Sequence, residues 1–370
     1  MGNSRRNGKI DFMKFIFAVV IVLHHGVQKV LDIRRPQFIG GSFAVEFFFI
    51  VSGYLLMASI YRLPERKEPL GVETGRFMLR KFKSFYPEVA VAFVIGFIVK
   101  LILEDTTLQL MWEKTFHHAF LLNMTGIGIW NTHGEFWYIS SMLLCMMILY
   151  PLIRKYPKAM TRVVLPLVAI LIMVFFFVKK TNPRGPLSWW SVTYKGNLRA
   201  LAEISIGACL FPLAQRLKTV NFSKLGRILL AVAEWACYIA VFEYMRLQRA
   251  SQLDYVYLVV YAVAIFISFS QQGIDAGWFQ KPIFFFLGKV SFPLYLAHNC
   301  WAKNINKFLP KELSDVSRFV IYLAVSVVAT LVIMEASALV RKLGKVLKKP
   351  VQTLLFAKPA EISKEECQNG

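Results

Sequence analysis

The sequence predicts an all-α integral membrane protein with about ten transmembrane helices and both termini in the cytoplasm. Hydrophobic residues make up 56% and aromatic residues 15% of the 370 residues, and the mean hydropathy is positive, unlike the balance of an ordinary soluble domain. The apolar residues are gathered in runs of roughly 20, the length that crosses a bilayer. A soluble enzyme or a soluble binding domain is therefore excluded.

Ten windows are long and apolar enough to be transmembrane helices. They are residues 12–30, 42–61, 84–103, 135–153, 163–179, 198–215, 228–245, 253–270, 282–301 and 318–340. We expect residues 1–345 to form one ten-helix membrane domain and 346–370 to form a basic and polar cytoplasmic tail. The connection 104–134 contains a short apolar piece, FHHAFLLNM, which we interpret as an interfacial or re-entrant segment.

The net charge of +22 indicates topology and not a nucleic-acid surface, because lysines and arginines lie in short clusters between the apolar runs. Basic loops remain in the cytoplasm. The largest clusters, in 62–83 and after residue 341, place both termini there, in what we expect to be a bacterial cytoplasmic membrane. The five widely spaced cysteines support neither a disulfide framework nor a metal site.

The first span, KIDFMKFIFAVVIVLHHG (9–26), carries ionisable residues at membrane depth, where each is costly and a candidate for function. Lys14 and His25 are eleven residues apart, and at ~100° per residue they lie within about 20° of one another. Asp11 lies one turn earlier on nearly the same face, whereas His24 points about 80° away. Because imidazole is the usual base near neutral pH, His25 is the catalytic candidate, with Lys14 and Asp11. The alternative is that these side chains snorkel to the two interfaces.

The second span, GGSFAVEFFFIVSGYLLM (40–57), contains one acid, Glu46. A carboxylate can orient an imidazole and stabilise its protonated form, so we expect Glu46 to contact His25; the alternative is a solitary interfacial glutamate. Four small residues of the same span would permit close helix approach: Gly40, Gly41, Ser52 and Gly53.

A basic cluster, RFMLRKFKSFYP (76–87), begins the third span. Guanidinium and ammonium groups suit multivalent phosphate, so we interpret this cluster as a clamp for a cytoplasmic phosphate-bearing donor. The positive-inside rule explains the same residues without any ligand. The candidate donor-binding residues are Arg76, Arg80, Lys81, Lys83 and Tyr86.

Two polar groups are expected toward the outer side of the membrane, in later spans. Glu135 and Trp137 begin the fourth span, and an acid beside aromatic rings suits a sugar-binding rim, although tryptophan is also common at membrane interfaces. Tyr295 and His298 lie in the ninth span. These four residues are our candidates for binding the acceptor.

These motifs, in this order, resemble the acyltransferase-3 family of integral membrane acyltransferases. The family's basic residue, ten intervening residues and histidine are similar to Lys14 through His25, and its acidic pattern in the second helix resembles VEFFFIVSGYL. Its basic tyrosine–proline stretch resembles RKFKSFYP, except that Ser84 stands where the family has arginine, and its late motif resembles GKVSFPLYLAH. No hydrolase domain of the serine–glycine–asparagine–histidine type is visible, so the resemblance is to the stand-alone form.

The resemblance implies transfer of an acyl group, most often acetyl from acetyl-CoA, to a hydroxyl of an envelope glycan or lipid-linked intermediate. It implies an acyl-CoA donor, a glycan or glycolipid acceptor and no metal. His25 would either deprotonate the acceptor hydroxyl or carry the acyl group itself. The identity of the acceptor, and acetyl as against succinyl, stay open.

The main alternative is a proton- or ion-coupled transporter, because many helices with buried acids, lysine and histidine also describe an ion relay. A transporter predicts substrate flux without covalent change, whereas the enzyme predicts consumption of acyl-CoA. A membrane scaffold without chemistry would leave the stripe from Asp11 to His25 unexplained.

Overall fold

The computed structural model describes residues 6–31, 37–104, 107–127 and 134–355, with backbone alone for 345 and 347–355. Twelve α-helices lie in these ranges. They are α1 Gly8–Lys29, α2 Val45–Tyr61, α3 Leu70–Leu103, α4 Leu108–Ala119, α5 Trp137–Lys155, α6 Pro157–Ala159, α7 Leu165–Val178, α8 Lys195–Lys218, α9 Lys224–Leu247, α10 Asp254–Ser270, α11 Pro282–Phe308 and α12 Asp315–Leu355.

Short elements connect some of these helices. Turns of 3-10 helix at Gly41–Ala44 and Gly134–Phe136 lead into α2 and α5, and a third lies at Trp278–Gln280. A π-helix, Met160–Val164, joins α6 to α7. The strands β1, Trp189–Trp190, and β2, Thr193–Tyr194, form an antiparallel hairpin in which Trp189 pairs with Tyr194.

Each of the ten predicted spans coincides with a long helix or helical segment. Eight are long and apolar enough to cross a membrane, which confirms an all-α membrane protein of many spans. The other two are α10, with 17 residues, and α11, whose apolar sequence is interrupted by lysine, asparagine and histidine. The count of ten and the cytoplasmic location of both termini stay predictions. The predicted tail starts within α12, and its residues 356–370 lie outside the described ranges.

The two ends of helix α1 are used to name the two ends of the fold. Its first turn is capped by the Asn7 side chain, which accepts from the amides of Lys9 and Ile10. It packs along its length against α11 in parallel: Gly288 faces Asp11 at one end, and the rings of His25 and His298 meet near the other. We refer to these two ends of the fold as the Gly8 end and the Lys29 end.

A buried ion cluster anchors the Gly8 end of α1. The Lys9 ammonium lies 2.8 Å from Glu234 and 2.7 Å from Asp275, so one lysine pairs with two acids from different parts of the chain. Burial opposes ionisation of Asp275, but hydrogen bonds from Lys9 and Trp235 outweigh it and hold its pKa below the ordinary value. The cluster ties α1 to α9 and to the loop after α10.

The helices α2 and α8 touch through two glycines. A Cβ on Gly53 would lie 2.0 Å from the Ile204 carbonyl oxygen, and one on Gly207 would lie 1.8 Å from that of Ile50. Such backbone contact is possible only without side chains. The close approach anticipated at Gly53 is present, and it brings Glu46 on α2 against α8.

Candidate active site

Three cavities follow one another along α1. The distal cavity, about 350 Å³, lies at the Lys29 end; the middle cavity is about 210 Å³; and the proximal cavity, about 880 Å³, lies at the Gly8 end. Val45 and Tyr295 line both the distal and middle cavities, whereas Lys14 and Leu55 line both the middle and proximal ones. Their shared walls outline a route along the interior of the helix bundle.

His25 lines the distal cavity. Its Nδ1 lies 3.0 Å from the carbonyl oxygen of Ile21, one turn earlier on α1. Because a carbonyl oxygen only accepts hydrogen bonds, Nδ1 carries the proton of the neutral ring, and Nε2 is left with its lone pair. The chemistry of the ring is therefore available at Nε2.

His24 occupies a different environment. Its Nδ1 lies 2.8 Å from the carbonyl oxygen of Phe38, its ring is 5% exposed, and it does not line the distal cavity. The Cβ of His24 packs closely on Gly41. The two adjacent histidines thus separate into one facing a cavity and one packed against the backbone at the start of α2.

A polar wall faces His25 across the distal cavity. The His298 ring lies 5.0 Å from that of His25, centroid to centroid, and among the described residues neither of its nitrogens has a hydrogen-bond partner. Beside it, Asn299 donates to the Glu135 carboxylate at 2.6 Å and accepts from Lys29 at 2.7 Å. Two imidazoles, an acid, an amide and an ammonium therefore share one cavity.

Tyr295 and Trp137 complete the wall. The Tyr295 hydroxyl donates to the Glu135 carbonyl at 2.6 Å. The guanidinium carbon of Arg199 lies over the Trp137 ring, 5.4 Å from the centroid of that ring. All four residues predicted from the fourth and ninth spans thus line the cavity that contains His25.

Glu46 has a different partner from the one expected. The Arg199 guanidinium forms an ion pair with Glu46 and lies 3.1 Å from Glu203, and all three side chains are buried. The expected contact between Glu46 and His25 does not form among the described side chains, because the close approach of α2 and α8 places a permanently charged group beside the carboxylate. Glu46 does not line the distal cavity itself, but its ion-pair partner Arg199 does.

Lys14 lies between the middle and proximal cavities. Its ammonium is 3.2 Å from Asp11, which also pairs with Arg6 and lies against Gly288. The predicted stripe on α1 thus connects three cavities: Asp11 lines the proximal one, Lys14 the boundary and His25 the distal one.

The lining of the proximal cavity includes four basic and four aromatic side chains. Besides Lys14, its cations are Arg6, Arg62 and Lys218, which come from the N-terminus, the end of α2 and the end of α8. The stacked rings of Tyr54 and Phe269, 3.5 Å apart between centroids, form part of its wall.

The predicted donor clamp on α3 lies outside these three cavities. Arg76 is paired with Glu68 at 2.8 Å, and Tyr86 stacks on a neighbouring phenylalanine. Arg80 and Lys83 are exposed. Lys81 is half-buried and within electrostatic range of Lys14, but it lines none of the three cavities.

Four residues of the distal cavity were not predicted from the sequence: Lys29, Arg199, Asn299 and Lys303. Two of them could have been proposed from their positions in the sequence. Lys29 follows His25 by four residues, which places it on the same helix face, and Asn299 directly follows His298. Arg199 and Lys303 enter the cavity through packing between helices far apart in sequence.

Comparison with known families gives one match. A family model described as an acyltransferase domain matches residues 7–335. That range contains all the residues of the three cavities except Arg6. Searches of curated proteins and of solved structures returned no match.

Proposed function

The chain belongs to the acyltransferase-3 family and is a membrane acyltransferase, and from that premise we propose that it moves an acetyl group from acetyl-CoA to a hydroxyl of a cell-surface polysaccharide or lipid-linked glycan. One observation carries the proposal: among the described residues Nε2 of His25 has no hydrogen-bond partner, and His25 lines the last of three successive cavities, the first of which is lined by four cations. The match to an acyltransferase family favours this function over that of a transporter.

The donor would bind at the proximal cavity. Four cations from three chain segments suit the phosphates of CoA, and the middle cavity would take the thioester arm. Lys14 and His25 are roughly 16 Å apart along α1 at ~1.5 Å per residue. This arrangement favours Arg6, Arg62 and Lys218 over the α3 cluster as the phosphate-binding set, while Lys81 would contribute through its proximity to Lys14.

The chemistry would take place in the distal cavity. Nε2 of His25 accepts the proton of the acceptor hydroxyl as its oxygen attacks the thioester carbonyl carbon. The carbon–sulfur bond then breaks, and the departing thiolate takes the proton from His25. The alternative, in which Nε2 itself attacks and carries the acyl group before the acceptor arrives, uses the same nitrogen.

The acceptor would enter at the Lys29 end. Trp137 and Tyr295 offer ring faces and Glu135 a carboxylate, a combination suited to a hydroxyl-rich ring, and His298 lies close enough to His25 to orient the attacking hydroxyl. With the predicted orientation, the donor is taken from the cytoplasm and the acceptor from outside.

The test of activity compares envelope glycans by mass spectrometry from cells with wild-type protein, a His25→Ala variant and a deletion. Added acyl groups should be present only with the wild type. Identical glycans from all three strains, with the protein expressed, would refute the proposal.

The test of the donor site compares two charge-matched double variants in purified protein. Arg62→Gln with Lys218→Gln should weaken CoA binding about tenfold or more, because each removes a charge-assisted contact. Arg80→Gln with Lys81→Gln should have the smaller effect. The reverse order would assign the donor to the α3 cluster instead.

A further inference from the structure

A groove of about 760 Å³ lies beside the proximal cavity, and Tyr61 and Leu213 in its wall are exposed. Its walls come from α2, from the helical segment Pro157–Val178 and from the second half of α8. Tyr61, Phe211 and Gln215 line both the groove and the proximal cavity. The acyl transfer proposed above assigns no role to the groove.

The polarity of the groove changes along its length. Lys158 and Arg162 lie at its Gly8 end, while Pro166 lies eight residues beyond Lys158 and four beyond Arg162 in the same segment. On α8, Arg216 lies at the same end and Cys209 roughly 10 Å deeper. Charge at the aqueous end and an apolar wall at depth match the head and chain of a phospholipid.

The three cations of the groove are available to a ligand. Among the described residues Lys158, Arg162 and Arg216 form no ion pair, and the groove has no acidic residue in its wall. Other arginines at this end of the fold are neutralised: Arg154 pairs with a glutamate at 2.8 Å and Arg341 with another at 2.6 Å. The groove therefore has an unbalanced positive charge beside an apolar wall.

A rare helix geometry shapes one side of the groove. The π-helix Met160–Val164 contains Arg162 and Thr161, both of which line the groove. The Cys209 thiol donates to the Thr161 carbonyl at 3.6 Å, which ties the widened turn to α8. π-helical turns are rare in proteins, and those that occur are often found at functional sites.

We propose that this groove binds one anionic phospholipid, with its phosphate at Lys158, Arg162 and Arg216 and an acyl chain along the apolar wall. Basic pockets between helices at the cytoplasmic side of a membrane recognise anionic head groups. A zwitterionic lipid gains less, because its own cation opposes the three cations of the groove. The bound lipid would form part of the wall of the proximal cavity through the three shared residues.

The first experiment is native mass spectrometry of the full chain released from phosphatidylglycerol or phosphatidylcholine nanodiscs. Wild-type protein should retain one phosphatidylglycerol, and Lys158→Gln/Arg162→Gln/Arg216→Gln should reduce this retention about tenfold or more. The control, Lys67→Gln/Lys224→Gln/Lys342→Gln, removes the same charge from exposed positions at the same end and should retain the lipid. Equal retention in the two triple variants, or equal retention of both lipids, would overturn the proposal.

A second measurement does not depend on folding of the charge variant. A photoreactive residue replacing Leu213, which lines the groove and is 48% exposed, should cross-link to phosphatidylglycerol in the wild-type background. Neutralising Arg162 and Arg216 should reduce that adduct. An adduct to a polypeptide, including a second copy of this chain, would assign the groove to a protein partner and overturn the lipid proposal.

Discussion

Replacing His25 by asparagine separates the chemistry of the ring from its structural hydrogen bond. The side-chain amide of the introduced asparagine can still donate to the Ile21 carbonyl, as Nδ1 of His25 does at 3.0 Å, but it has no counterpart of Nε2. The matched control is His24→Asn, which can keep the corresponding bond to the Phe38 carbonyl.

The expected loss follows from the role of Nε2. General acid–base catalysis contributes about 10²–10⁴-fold, which is roughly 2.7 to 5.4 kcal/mol of transition-state stabilisation. The hydrogen bond that the variant keeps is worth about 1 kcal/mol of folding stability. Acyl transfer by His25→Asn should therefore fall at least about a hundredfold, while thermal unfolding changes little.

The assay measures label transferred from radiolabelled acetyl-CoA into the glycan fraction of membranes that contain equal amounts of each variant. His24→Asn should retain transfer close to that of the wild type, because its ring lies outside the distal cavity. Retained transfer in His25→Asn, or equal losses in both variants, would refute the assignment of Nε2 as the reacting nitrogen.

Three further predictions concern stability, measured as the free energy of unfolding of purified protein in detergent. Arg199→Met leaves its two carboxylate partners buried without a guanidinium and should cost about 3–5 kcal/mol; an unchanged value would contradict the ion-pair account. Gly207→Ala places a Cβ 1.8 Å from the Ile50 carbonyl oxygen and should cost about 1–3 kcal/mol, whereas Gly75→Ala, with nothing within 4 Å, should gain about 0.5–1 kcal/mol; equal effects would be inconsistent with direct backbone contact. Because the pKa of Asp275 is lowered in the folded protein, ionised Asp275 stabilises the fold at pH values above the ordinary pKa of an aspartate, and this stability is lost as the pH falls through the lowered pKa. Asp275→Asn should therefore reduce the dependence of the unfolding free energy on acidic pH. An unchanged dependence would show that Asp275 does not contribute to it.

The positions of the helices could be predicted because each depends on a contiguous stretch of sequence. A run of about 20 apolar residues must form an internally hydrogen-bonded helix in a bilayer, and all ten predicted runs coincide with helical segments. The face shared by Lys14 and His25 also followed from sequence, since the helical repeat alone fixes it.

The partners of these side chains could not be predicted in the same way. Glu46 pairs with Arg199, 153 residues later, and this depends on the two glycines that let α2 and α8 touch. The phosphate-binding cluster was expected on α3 because its charges are consecutive in sequence, whereas the cations of the proximal cavity come from three separate segments.

Local sequence is sufficient to predict a helical membrane protein, the residues of α1 that share a face, and the histidine of an adjacent pair that is the candidate for chemistry. These properties depend on local periodicity and on the cost of leaving backbone or charge unsatisfied in lipid. Helix packing, in contrast, brings His25 against His298 and places Lys14 between two cavities. Those contacts depend on how helices distant in sequence pack together, and no local pattern encodes that packing.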